Sequence, residues 1–115
     1  MLNQTVIVGR LVDTPKMIET ENGKECSNIT LAVPRSYKNF EGIYETDFVD
    51  CCIWGNVAKN TCEYCKKGDM LGVRGRIETT LSEIDGKTQK ITKVIGEKVT
   101  FLSSAKEKQN DKELY

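Results

Sequence analysis

The chain reads as all-β with one helix: a five-stranded barrel whose helix lies between the third and fourth strands. Three observations carry this reading. Branched and apolar residues recur at every second position in separate short stretches. Asn22-Gly23, Glu41-Gly42 and Asp85-Gly86 punctuate those stretches as turns. Between Trp54 and Gly68 alone, the small or apolar positions Val57, Thr61 and Cys65 fall four apart, as on one side of a helix.

Taken in order, residues 6–11 (Val-Ile-Val-Gly-Arg-Leu) form a β-branched first strand. In residues 28–33, Ile29, Leu31 and Val33 share one face at period two. The third strand spans 46–54, with Val49, Cys51 and Ile53 facing the core. The helix follows, with Lys66 and Lys67 expected in its last turn and Gly68 just beyond. In the fourth strand, 70–80, Leu71, Val73 and Ile77 alternate with Arg74, Arg76 and Glu78, and Gly72 and Gly75 suit a barrel corner. A fifth strand runs from 89 to 102, expected to break near Gly96. Three strands, a helix and two strands is the element order of the OB-fold. Composition leaves an SH3-like barrel with an insert open, and the helix position favours the OB-fold.

The 115 residues hold one domain, 1–102, and a polar stretch, 103–115, expected to be a disordered tail. No targeting signal or membrane-length apolar run occurs, so a soluble, cytoplasmic protein with no membrane association is expected. Basic and acidic residues balance at 17 each, which argues against a purely electrostatic grip but allows a local basic groove. Histidine is absent, which removes the commonest general acid/base and metal ligand. The five cysteines, Cys26, Cys51, Cys52, Cys62 and Cys65, suit reduced thiols better than a disulfide framework.

If Val49, Cys51 and Ile53 face inward, then Phe48, Asp50, Cys52 and Trp54 face outward. Phe48 and Trp54 stand about 20 Å apart at about 3.3 Å per residue. That separation suits two platforms for stacked bases, each worth about 1–3 kcal/mol whatever the base. Packing against a neighbouring subunit or the helix would also account for them. Tyr37, in Arg35-Ser36-Tyr37-Lys38, is an aromatic flanked by two cations, fit for stacking with phosphate contacts alongside. It could equally be a solvated hairpin tip. Phe40 and Tyr44 in the same loop are weaker candidates. Arg74 and Arg76 share one face and repel each other unless a phosphate, Glu78 or an acid on the next strand lies between. Lys87, Lys90 and Lys93 would widen that patch or simply be solvated.

Cys62-Glu63-Tyr64-Cys65 has redox or zinc spacing. It falls in the last turns of the helix, however, where the dipole opposes a thiolate, and neither histidine nor a second spaced pair is available. Gly72-Val-Arg-Gly75 matches a KH clamp in letters only, since it lies within a strand pattern. No nucleophile has an evident base. No enzyme activity, cofactor or metal is expected.

Five strings resemble bacterial single-stranded DNA-binding proteins, in order and with nearly matching spacing over residues 1–102. They are the opening Met1-Leu-Asn-Gln-Thr-Val-Ile-Val-Gly-Arg-Leu11, Asn28-Ile-Thr-Leu-Ala-Val33, Thr46-Asp-Phe48 with Trp54, Tyr64-Cys-Lys-Lys-Gly68 and Gly75-Arg-Ile-Glu-Thr79. The resemblance implies an OB-fold homotetramer that wraps single-stranded DNA without sequence preference, in replication, recombination and repair. It implies stacking by Tyr37, Phe48 and Trp54, and phosphate contacts from Arg35, Lys38 and Arg76.

Two departures stand out. Leu81-Ser82 occupies a region where such proteins often carry another stacking aromatic. The chain also stops at Lys112-Glu-Leu-Tyr115 without the acidic tip that recruits replication and repair proteins. An absent docking role, a truncated chain and a mobile-element or accessory paralogue all fit that ending. The alternatives to DNA coating are an accessory primosome-type OB protein that bridges replication proteins, an oligosaccharide-binding barrel and an OB protein-interaction subunit. The paired arginines suit phosphate better than neutral sugar.

Overall fold

The alternating pattern closes into a barrel in the computed structural model, in which residues 1–105 are described. The elements are β1 (Thr5–Leu11), β2 (Ile18–Glu19), β3 (Glu25–Lys38), β4 (Tyr44–Trp54), α1 (Gly55–Tyr64), β5 (Met70–Ile84) and β6 (Lys87–Ser103). The strands lie in the order β1-β5-β6-β4-β3-β2, and β1 also pairs with β3, which closes the cylinder. Only β4 and β6 run parallel, over the short ladder from Cys51–Val94 to Ile53–Gly96. β2 is a two-residue addition beside Cys26 and Glu25, too short to show a period in the sequence. Without it, the helix lies between the third and fourth barrel strands, as expected.

The predicted inward set builds the core. Ile29, Leu31, Cys51, Ile53, Leu71 and Val73 are buried together with Ala58 of α1, and Val33 and Val49 pack against them. Fully burying each aliphatic side chain contributes about 1.5–3 kcal/mol. Ile77 departs from the expectation and is exposed, because β1 pairs with β5 only as far as Gly75 and leaves Ile77 beyond its cover. Further on, β5 and β6 continue as a long hairpin. That hairpin turns at Asp85 (φ 52) and Gly86 (φ 76), the paired left-handed residues of a two-residue turn.

Two other expectations need correction. The helix ends at Tyr64, so Lys66 and Lys67 lie beyond its last turn. The amides that would extend it are taken elsewhere: Lys66 N–H donates to the Asp69 carboxylate, Lys67 N–H to the Thr14 hydroxyl and Gly68 N–H to the Leu11 carbonyl. The last strand does not break at Gly96. It continues through a bulge, since Arg74 faces Lys98 while Gly75 faces Gly96, leaving Glu97 as the extra residue. β6 ends at Ser103, paired with Met70, and the Ala105 amide reaches the Asp69 carboxylate. The remainder of the expected tail, 106–115, lies outside the described residues.

Candidate nucleic-acid interface

β4 sets the site, because its inward residues are held in the core and its alternate residues must then project from the barrel. Phe48 is 67% exposed, and its neighbour across the ladder is the small Ala32, which leaves the ring uncovered. Trp54 is 38% exposed and sits at the junction with α1, as the residue preceding the helix. Asp50, between them, accepts a hydrogen bond from the Thr30 hydroxyl at 2.9 Å. Cys52 corrects the outward reading. It is buried, because Cys26 of β3 and Ile95 of β6 flank it in a small second cluster.

Tyr37 is 64% exposed but does not stand in the row of Phe48 and Trp54. The register shifts between Pro34, which faces Thr46, and Lys38, which faces Tyr44, so β3 carries extra residues there. Tyr37 instead lines a shallow groove with Arg35, Lys38, Asn39, Phe40 and Glu45. Arg35 is clamped in that groove. Its guanidinium meets Asp47 at 2.8 Å and Glu45 at 2.6 Å. The hydrogen bond and charge of Asp47 raise the guanidinium pKa further, and the same hydrogen bond lowers the Asp47 carboxyl. Lys38 lies over the Tyr44 ring, its Nζ 5.6 Å from the centroid.

On β5 the two arginines differ. Arg76 faces Ile95, which in turn pairs with Cys52, so it shares the outer surface with Phe48 and Trp54. It is ion-paired to Glu78 at 2.9 Å and to Glu97 at 3.4 Å. Arg74 makes no ion pair among the described residues and faces Lys98 across the ladder. Two facing cations repel, and a bound anion would relieve that repulsion. Sequence reasoning missed Lys98, since only the bulge at Glu97 brings it opposite Arg74. Lys93 stands opposite Glu78, and Lys87 and Lys90 lie further out on the hairpin. Five of the candidates (Tyr37, Lys38, Phe48, Trp54 and Arg74) are thus open to solvent, while Arg35 and Arg76 are held by carboxylates.

The cysteines are all free thiols. Burial pushes Cys51 up to about 11 and also raises Cys52 and Cys65, the direction opposite to a reactive thiolate. No group of three or more potential metal ligands comes together among the described residues.

The chain matches the model of the single-strand binding protein family over residues 2–102. It is 45% identical to the single-stranded DNA-binding protein of Oceanobacillus iheyensis, over 90% of this chain and 65% of that relative. It is 40% identical to single-stranded DNA-binding protein 1 of Clostridium acetobutylicum, over 92% of this chain and 98% of the relative. With single-stranded DNA-binding protein B of Bacillus subtilis it shares 42% identity, over 89% and 91% of the two chains. The chain therefore spans about two thirds of the length of one of these relatives and nearly all of the other two. A match over nearly the whole barrel places this chain in the single-strand binding protein family.

Proposed function

We propose that this chain binds single-stranded DNA without sequence specificity and shields it during replication, recombination and repair. The observation that carries the reading is the pair of solvent-facing rings, Phe48 and the partly exposed Trp54, on one side of a strand whose other side is locked in the core. Stacking on such rings is tolerant of sequence because every base has a π-face. Tyr37 adds a ring at the hairpin groove. Arg74 contacts phosphate directly, while Arg35, Lys38 and Arg76 do so by exchanging their present partners for it. It is a binding protein rather than an enzyme, in keeping with the family. Binding resides in the barrel domain, matched by the family over residues 2–102, and the protein acts in the cytoplasm. No helix among the described residues is long and apolar enough to cross a membrane.

Assembly as a homotetramer is part of this proposal. Val6 and Val8 are exposed on the outer side of β1, and Leu102 on β6 is exposed nearby. Gly72 lies between them: a Cβ there would stand 3.8 Å from Leu102 Cδ1 and 3.9 Å from Val8 Cγ2. The missing side chain leaves a flat apolar patch, the kind of surface that seats a second copy.

Trp54 is the single tryptophan and reports on its own surroundings. Titration with a thymidine oligonucleotide should quench its fluorescence, with affinity falling as salt rises. Duplex DNA and a neutral oligosaccharide should leave it unchanged. No quenching and no binding at low salt would overturn the reading in favour of a protein-interaction subunit.

A further inference from the structure

We infer that Tyr44, with Lys38 laid across its ring, is an additional base-stacking platform, so that β4 presents three aromatics in one row. The inference rests on the single-stranded DNA reading and gives a definite role to a residue that the sequence offered only as a weaker candidate. Tyr44, Phe48 and Trp54 are separated by even numbers of residues on one uninterrupted strand, so alternation sets all three on the same side. The step from Tyr44 to Phe48 is about 13 Å, at about 3.3 Å per residue. Tyr44 is 56% exposed.

The ring is open to a flat or charged partner. Lys38 faces Tyr44 across the ladder and holds its ammonium 5.6 Å from the ring centroid. A cation over an aromatic face in water is a weak contact. A base can therefore replace it, and the long lysine stem then carries the ammonium to the adjoining phosphate. One pair of residues would supply both parts of a nucleotide site.

The platform is also held in place before anything binds. At the hairpin tip, Asn39 N–H donates to the Ile43 carbonyl at 2.9 Å and Gly42 N–H to the Asn39 carbonyl at 3.0 Å. The Asn39 side-chain oxygen accepts from the amides of Glu41 and Ile43, and its NH2 donates to Glu45. Gly42 supplies the left-handed conformation that the turn requires, at φ 78. A ring on so tightly bonded a turn loses little freedom on binding.

The alternative role for the Lys38–Tyr44 contact is hairpin stability alone, and the choice of substitutions separates the two. In the full chain, Tyr44→Phe keeps a π-face, whereas Tyr44→Leu keeps apolar bulk without one. Binding to a thymidine oligonucleotide is followed through Trp54 quenching, with melting temperature as the control. Tyr44→Leu should bind about 5- to 100-fold more weakly than the original chain. Tyr44→Phe should bind nearly as the original does, and both should melt close to it. Equal binding by Tyr44→Leu and the original chain would overturn the inference while leaving the function intact. Equal losses in Tyr44→Leu and Tyr44→Phe would overturn it too, since stacking needs no hydroxyl. If the original chain itself failed to bind, the functional reading would fall and this inference with it.

Discussion

At the scale of single residues, the site combines exposed rings with cations that are mostly engaged. Arg35 is the clearest case, because Asp47 and Glu45 both engage its guanidinium. An exposed ion pair of this kind adds little to stability, so its main consequence falls on binding. Asp47→Asn combined with Glu45→Gln should release the guanidinium for one more phosphate contact. Affinity for a thymidine oligonucleotide should then rise at low salt, and the slope of log affinity against log salt should steepen by about 0.7. The Asp47 carboxyl is held low by Arg35, so the clamp persists above the ordinary carboxylate range and loosens as pH falls through that depressed value. The original chain and the variant should therefore converge in acid. Titrations at several salt concentrations and two pH values check both points, and an unchanged slope would show that Arg35 takes no phosphate.

At the scale of elements, most of the barrel was legible because each strand carries its own period. Ile29 and Leu31, Cys51 and Ile53, and Leu71 and Val73 announce their inward face without reference to any other strand. Asp85-Gly86 likewise announces its turn. What stayed hidden depends on residues distant in sequence. The helix end is set by Thr14, Leu11 and Asp69, and the burial of Cys52 by Cys26 and Ile95. The position of Tyr37 follows from a register shift that leaves no local mark. Of the carboxylates on Arg76, Glu78 and an acid on the next strand were both offered by the sequence, and only the bulge in β6 identifies that second acid as Glu97. That bulge is held in turn by Gly75, where a Cβ would run into the Ile95 backbone carbonyl. Gly75→Ala must displace the β5–β6 ladder where it crosses the barrel, at a cost of about 3 kcal/mol or more. Thermal or denaturant unfolding would show it, and a melting temperature matching the original chain would mean that the ladder yields freely.

For the whole molecule, the balance of charge and apolar surface bears on assembly. With equal numbers of acidic and basic residues, copies of the chain do not repel one another through net charge. The apolar patch of Val6, Val8 and Leu102 then has no long-range opposition to self-association. The patch lies on the outer side of β1, β5 and β6, and Arg74 faces Val6 at its margin. Assembly there would bring the Arg74–Lys98 cations of neighbouring copies toward a shared seam, giving a bound strand a route from one subunit to the next. Single rings on separate barrels would then act on one DNA molecule, where linked sites bind far more tightly than any of them alone. A Val6→Asp, Val8→Asp variant tests this, because both side chains are exposed and their loss leaves the core intact. Light scattering should give a tetramer for the original chain and a smaller species for the variant, with unchanged circular dichroism. Binding of a short oligonucleotide should persist in the variant, while the gain in affinity with longer oligonucleotides should shrink. If the variant remained tetrameric, the subunits would have to meet on a different face.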